Sequence, residues 1–130
     1  MTRGTGGGKV RVKTAKNRSA QSTRWLQRQL NDPYVKKAKA EGWRSRAAFK
    51  LIELDEKFAL LRRARHVVDL GIAPGGWAQV VRKLSPQAKV VGIDLLPVDP
   101  IEGVTIFQMD FMDEQADALL AEALGDAPDL

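Results

Sequence analysis

The 130-residue chain has no cysteine and one histidine, His66. Disulfides, thiolate nucleophiles and cysteine-based zinc sites are therefore excluded, and no metal site is expected. No stretch of 18 apolar residues occurs, so neither a transmembrane helix nor a membrane partner is expected. The first twelve residues are basic and glycine-rich without an apolar centre, unlike a secretory signal. These absences point to a cytoplasmic protein. Aromatic residues are scarce at 6%, but the hydrophobic content of 44% is enough for the core of one domain.

Charge is distributed unevenly. Residues 1–46 carry 13 Lys/Arg against two acids, Asp32 and Glu41, a balance of +11. Residues 47–130 carry 8 Lys/Arg against 14 acids, a balance of −6. A basic half joined to an acidic half suits contact with a polyanion, or a basic tail that keeps the chain soluble.

Residues 1–20 read as a flexible basic arm, because they hold almost no large apolar side chain. Ser22 or Thr23 is placed to start a short helix carrying Trp25, Leu26 and Leu30. Asp32-Pro33 is a second start signal, and Gly42 a stop. Ser45 would open a longer helix whose buried stripe is Ala47, Leu51, Leu54 and Phe58. Residues 21–64 thus form a helical extension. Residues 65–130 alternate differently: a strand at 66–70, a helix with Trp77, Val80, Val81 and Leu84, strands at 89–94 and 104–107, and a helix at 113–124 capped by Asp113 and closed by Gly125. Pro128-Asp129-Leu130 reads as the start of a fourth strand. This order indicates an α/β fold with a mostly parallel sheet. A complete doubly wound sheet has more strands, so the chain reads as the first portion of a larger domain that would fold poorly or associate alone.

The most informative segment is Asp69-Leu-Gly-Ile-Ala-Pro-Gly-Gly-Trp77. It takes a strand's carboxyl end into a glycine loop and directly into a helix, the usual geometry for a nucleotide or nucleoside site. Asp94 ends the next strand, 19 residues after Gly75, where an acid accepts ribose hydroxyls. Asp110 follows the third strand, within reach of an adenine amino group. Glycines at 71, 75 and 76 do not match the dinucleotide spacing, and Pro74 removes a donor that a pyrophosphate would use. A nicotinamide or flavin oxidoreductase is disfavoured for both reasons. A nucleoside cofactor bearing an amino-acid ammonium fits better, with Asp69 as its counter-charge.

Together with Ile93-Asp94-Leu-Leu-Pro97 and Arg44-Ser-Arg-Ala-Ala-Phe-Lys50-Leu51, this loop resembles the FtsJ/RrmJ family of ribose 2′-O-methyltransferases. Ser22-Thr-Arg-Trp-Leu26, Asp32-Pro-Tyr34 and Asp99-Pro-Ile101 extend the likeness toward the family's bacterial large-subunit ribosomal RNA branch. The usual loop has Ala where this chain has Ile72. The resemblance implies a Rossmann-like S-adenosylmethionine-dependent methyltransferase fold, incomplete here, with an N-terminal helical extension. It implies that Gly75, Trp77, Asp94 and Asp110, beside Asp69, bind S-adenosyl-L-methionine. It also implies that Lys50 is catalytic, the first member of a Lys-Asp-Lys-Glu set whose other members lie past Leu130.

The implied reaction is 2′-O-methylation of a uridine ribose in large-subunit ribosomal RNA, in ribosome maturation, by a full-length protein expected to be monomeric. The chain by itself is expected to bind cofactor weakly and to show no turnover. Arg44, Arg46 and Arg24 are the candidates for RNA contact, with Lys36, Lys37 and Lys39 nearby in sequence. Packing is the simpler role for Trp25 and Trp43. A non-catalytic RNA-binding module with a degenerate nucleoside pocket is the alternative.

Overall fold

The computed structural model describes residues 20–130; the arm at residues 1–19 lies outside the described residues. The chain divides into two compact units, which part at Gly42. In the first, α1 (Ala20–Asn31) is followed by α2 (Pro33–Glu41). Asp32 caps α2 by accepting from the Tyr34 amide at 2.7 Å, Pro33 fills its first position, and Gly42 ends it at φ +85°. Ala38 is buried, while Trp25 and Tyr34 are each about half exposed, at 52% and 51%.

The second unit runs from Trp43 to Leu130 and contains both the end of the expected helical extension and the expected cofactor-binding half. The reason is α3 (Ala47–Phe58), which packs on α4 (Gly76–Leu84) and so belongs with the sheet. Strands β1 (His66–Leu70), β2 (Lys89–Asp94) and β3 (Val104–Gln108) form a parallel sheet in the order β1-β2-β3. β1 and β2 begin and end where the sequence places them. Period-2 alternation sends β2 side chains to two cores. Val90 joins Val67, Val80, Val81 and Leu51 under α3 and α4, while Val91 and Ile93 face Leu120 and Leu124 of α5 (Ala116–Leu124). Helices on both faces of a parallel sheet make the α/β layering that the sequence indicated.

Three local expectations are corrected. The buried stripe of α3 runs through Ala48 and Leu51; Ala47 is exposed, Leu54 is only partly buried, and Phe58 is 64% exposed. Helix α3 starts at Ala47 with no side-chain cap from Ser45, and it ends at Ala59 in the left-handed region, which leaves Phe58 on the outer side of the last turn. On α4 the buried residues are Ala78, Val80 and Val81, whereas Trp77 and Leu84 are 40% and 43% exposed. α5 begins at Ala116 rather than Asp113. Asp113 instead closes the preceding turn, its carboxylate accepting from Gln115 N at 2.8 Å, and Gly125 ends the helix at φ +82°.

The segment at 128–130 lies along the free edge of β1. Asp129 N donates to His66 O at 2.9 Å, and Val68 N donates to Leu130 O at 3.0 Å. The Asp129 carboxylate accepts from the amides of Arg65 and His66, each at 3.0 Å, and the His66 bond leads in holding it below the usual carboxylate range. With β2 on one side of β1 and this segment on the other, the chain reverses its direction of travel across the sheet at β1. That reversal is where α/β folds bind ligands, at the carboxyl ends of the strands.

Candidate active site

A cleft of about 280 Å³ opens at the carboxyl end of β1. Its wall includes Asp69, Gly71, Ala73, Pro74 and Trp77 on one side, and Ser45 and Ala47 from the start of α3 on the other. The loop is anchored to β2, because Gly71 N and Ile72 N both donate to Ile93 O, at 2.8 and 3.1 Å. Ile72, the residue that departs from the family's usual Ala, is buried against Gly92: a Cβ on Gly92 would lie 2.3 Å from its Cδ1. The added bulk is thus packed against Gly92, and Ile72 also forms part of the cleft's lining.

Gly75 holds φ +118°, and a Cβ there would lie 2.6 Å from Ile101 Cδ1 and 3.3 Å from Arg44 Cδ. Only glycine meets both demands. The Ala73–Pro74 peptide is cis. Gly76 begins α4 and packs against Ser45, whose Oγ would lie 2.5 Å from an added Cβ.

The two strand-end carboxylates differ in character. Asp94 is braced by the backbone: Leu96 N donates to one oxygen at 2.9 Å and Ala73 N to the other at 2.8 Å. These amides hold Asp94 below the usual carboxylate range, so it is an anion with lone pairs left to accept hydroxyls. Asp69 is partly buried; desolvation, and secondarily repulsion from Asp94, raise its proton affinity. A cation brought to Asp69 would relieve both effects. Asp110 lies in the turn after β3, accepting from Met112 N at 2.8 Å; the preceding Met109 N donates to Asp94 O at 2.9 Å, which brings the two acidic turns side by side. Leu95, Leu96, Phe111 and Met112 expose apolar surface beside these acids, Met112 at 81%.

Trp77 Nε1 donates to Ala47 O at 2.7 Å. Lys50 lies three residues beyond Ala47 on the same side of α3, exposed. Arg46 and Arg24 are exposed as well, Arg24 in the other unit. Arg44 binds the main chain of two loops. Its guanidinium donates to the carbonyls of Pro74, Asp99 and Pro100, at 3.2, 2.5 and 2.7 Å, and its own amide to Gln79 Oε1 at 2.7 Å. Trp43 packs against the core as expected, with Lys83 Nζ 5.3 Å from its ring centre. Sequence reasoning missed the Ala73 amide as a partner of Asp94, and it missed the Ile72–Gly92 contact.

Residues 43–130, about two thirds of the chain, match the FtsJ-like methyltransferase family. The chain belongs to that family. Two proteins named ribosomal RNA large subunit methyltransferase E are among its relatives. The one from Novosphingobium aromaticivorans is 75% identical over 120 residues, covering 92% of this chain and 54% of the relative. The one from Sphingopyxis alaskensis is 72% identical over 127 residues, covering 98% and 55%. A crystal structure described as a ribosomal RNA methyltransferase from Plasmodium falciparum superposes with a TM-score of 0.57 at 37% identity, covering 65% of this chain and 50% of that one. The fold is that of the FtsJ-like methyltransferases. The chain spans about half the length of the curated relatives it matches. Among the described residues no helix is long and apolar enough to cross a membrane, and no cluster of acids and histidines suits a metal ion.

Proposed function

We propose that this chain carries the cofactor-binding part of an S-adenosylmethionine-dependent ribose 2′-O-methyltransferase, acting in the cytoplasm on a uridine of large-subunit ribosomal RNA. The observation that carries the reading is the pairing of two unlike carboxylates at neighbouring strand ends: Asp94 an anion braced by amides, Asp69 partly buried and in need of a cation. A nucleoside joined to an amino acid has groups for both: ribose hydroxyls for Asp94 and an ammonium for Asp69. Asp110 and the apolar side chains of Leu95, Leu96, Phe111 and Met112 offer a border for a purine. Gly75 and Trp77 shape the loop between them. When bound, the cofactor supplies an electrophilic methyl group. The names of the relatives favour ribosomal RNA as the acceptor.

The protein's own contribution is placement and charge. Lys50, three residues beyond the cleft-lining Ala47, is proposed to supply an ammonium that stabilises negative charge developing on a ribose 2′-oxygen as its proton passes to solvent. Arg44, Arg46 and Arg24 are the arginines proposed to meet phosphates; the carbonyls that Arg44 binds are neutral and leave its charge in place.

The test is a chimera in which residues 1–130 replace the matching part of the Sphingopyxis alaskensis relative. Labelled S-adenosylmethionine and ribosomal particles lacking the modification are supplied. Transfer to ribose, lowered at least tenfold by Lys50→Ala, is the expected result. RNA binding with no cofactor binding would favour a non-catalytic module instead.

A further inference from the structure

We propose that Arg44 is a positioning residue: it fastens the loop after β2 onto the loop after β1, and so sets the shape of the cleft. Two motifs that stand 55 residues apart in the sequence, Arg44-Ser-Arg46 and Asp99-Pro-Ile101, meet here. One guanidinium nitrogen donates to Asp99 O at 2.5 Å and to Pro74 O at 3.2 Å; the other donates to Pro100 O at 2.7 Å. Two of these three carbonyls belong to prolines, which bring no N–H of their own for the loops to pair through. A planar fork of several donors spans the two loops, where the single ammonium of a lysine has one point of attachment.

The fastening bears directly on the cofactor loop. Gly75, buried and at φ +118°, faces Arg44 and Ile101 where a side chain would stand: an added Cβ would lie 3.3 Å from Arg44 Cδ and 2.6 Å from Ile101 Cδ1. The adjoining Ala73 amide is held by Asp94 at 2.8 Å. The loop is therefore gripped at two successive residues, Ala73 by a carboxylate and Pro74 by a guanidinium. Arg44 itself is anchored through its amide to Gln79 of α4, at 2.7 Å. The groups that Arg44 itself touches are main-chain carbonyls and the Gln79 side chain, which gives Arg44 a role through other residues.

The purpose assigned to this fastening rests on the proposed cofactor site, but the fastening does not. Hydrogen–deuterium exchange on the 130-residue chain separates them, with Arg44→Ala and Arg44→Lys compared. Both variants are expected to speed exchange by at least tenfold at the amides of Ala73, held by Asp94, and Val104, held by the Ile101 carbonyl. Amides of β1 and β2 should stay within about twofold. S-adenosylhomocysteine affinity should fall about tenfold in both, since lysine restores the charge but not the fork. Arg44→Lys keeps the aliphatic stem over Gly75 and decides the matter if Arg44→Ala does not fold. Unchanged loop exchange, full rescue by lysine, or equal loosening of β2 would overturn the proposal. Loosened loops in the chain, together with a chimera, built as above, that takes no S-adenosyl ligand, would uphold the fastening and overturn the cofactor reading.

Discussion

The indole Nε1 of Trp77 donates to the carbonyl of Ala47 at 2.7 Å, tying the first turn of α4 to the first turn of α3. The bond lies between the glycine loop, where the cofactor is proposed to sit, and the helix that carries Lys50. It also gives Trp77 a reason to remain 40% exposed: the ring covers the mouth of the cleft while its one donor is satisfied.

Trp77→Phe keeps most of the ring and removes that donor. Stability should fall by about 1 kcal/mol, the usual worth of one hydrogen bond. In the chimera described above, kcat should fall more than KM for RNA rises, because Lys50 loses its fixed distance from the loop. Chemical denaturation and steady-state kinetics check the two parts.

Ile72 and Gly92 form a size-matched pair. Gly92→Ala would bring a methyl group 2.3 Å from Ile72 Cδ1 and 2.9 Å from its Cβ. Overpacking of this kind costs about 1–3 kcal/mol. The double variant Gly92→Ala/Ile72→Ala should recover much of the loss, which a double-mutant cycle by thermal or urea denaturation measures.

Gly75→Ala is expected to be harsher at the site than elsewhere. Its methyl would strike Ile101 Cδ1 at 2.6 Å in a backbone conformation that L-residues avoid. Stability should drop by about 1–3 kcal/mol, and binding of S-adenosylhomocysteine should weaken by more than that loss alone explains. Calorimetry under conditions where the variant is folded tests it.

The acids respond oppositely to pH. Asp94 and Asp129 are held below the usual carboxylate range by backbone amides, so their contribution is full above that range and is lost as pH falls through their lowered values. Asp69, raised by burial, binds its proton more tightly when folded; stability therefore declines as pH rises from the usual range to its raised value. Asp69→Asn should raise the midpoint of thermal unfolding at pH 7 by about 2–4 °C. It should weaken cofactor binding about tenfold. Asp94→Asn should flatten the acid limb of the stability curve, as melts between pH 3 and pH 7 would show.

The strands were readable because each apolar run ends in a residue with a distinct role: Asp69-Leu70 before a glycine, and Asp94 at the end of a run buried on both faces. The glycine loop was readable for the same reason, since its chemistry resides in residue types. The stripe of α3 was not. Ala48 is the buried alanine and Ala47 the exposed one, and nothing in two adjacent alanines tells them apart before α4 packs against the helix. Phe58 looked like core, yet the helix turns left-handed at Ala59 and leaves it outside. The bracing by Arg44 was least legible. Its partners are main-chain carbonyls of Pro74, Asp99 and Pro100, and a carbonyl has no signature in a sequence.

The most direct test of the central claim is an amide NMR titration of the chimera described above with S-adenosylhomocysteine, alongside the same titration with NAD. Shift changes concentrated at residues 71–77, 94–96 and 110–112, with NAD inert, are the expected result. Silence at those loops up to millimolar ligand, or equal shifts with NAD, would contradict the assignment of this cleft to an S-adenosyl cofactor.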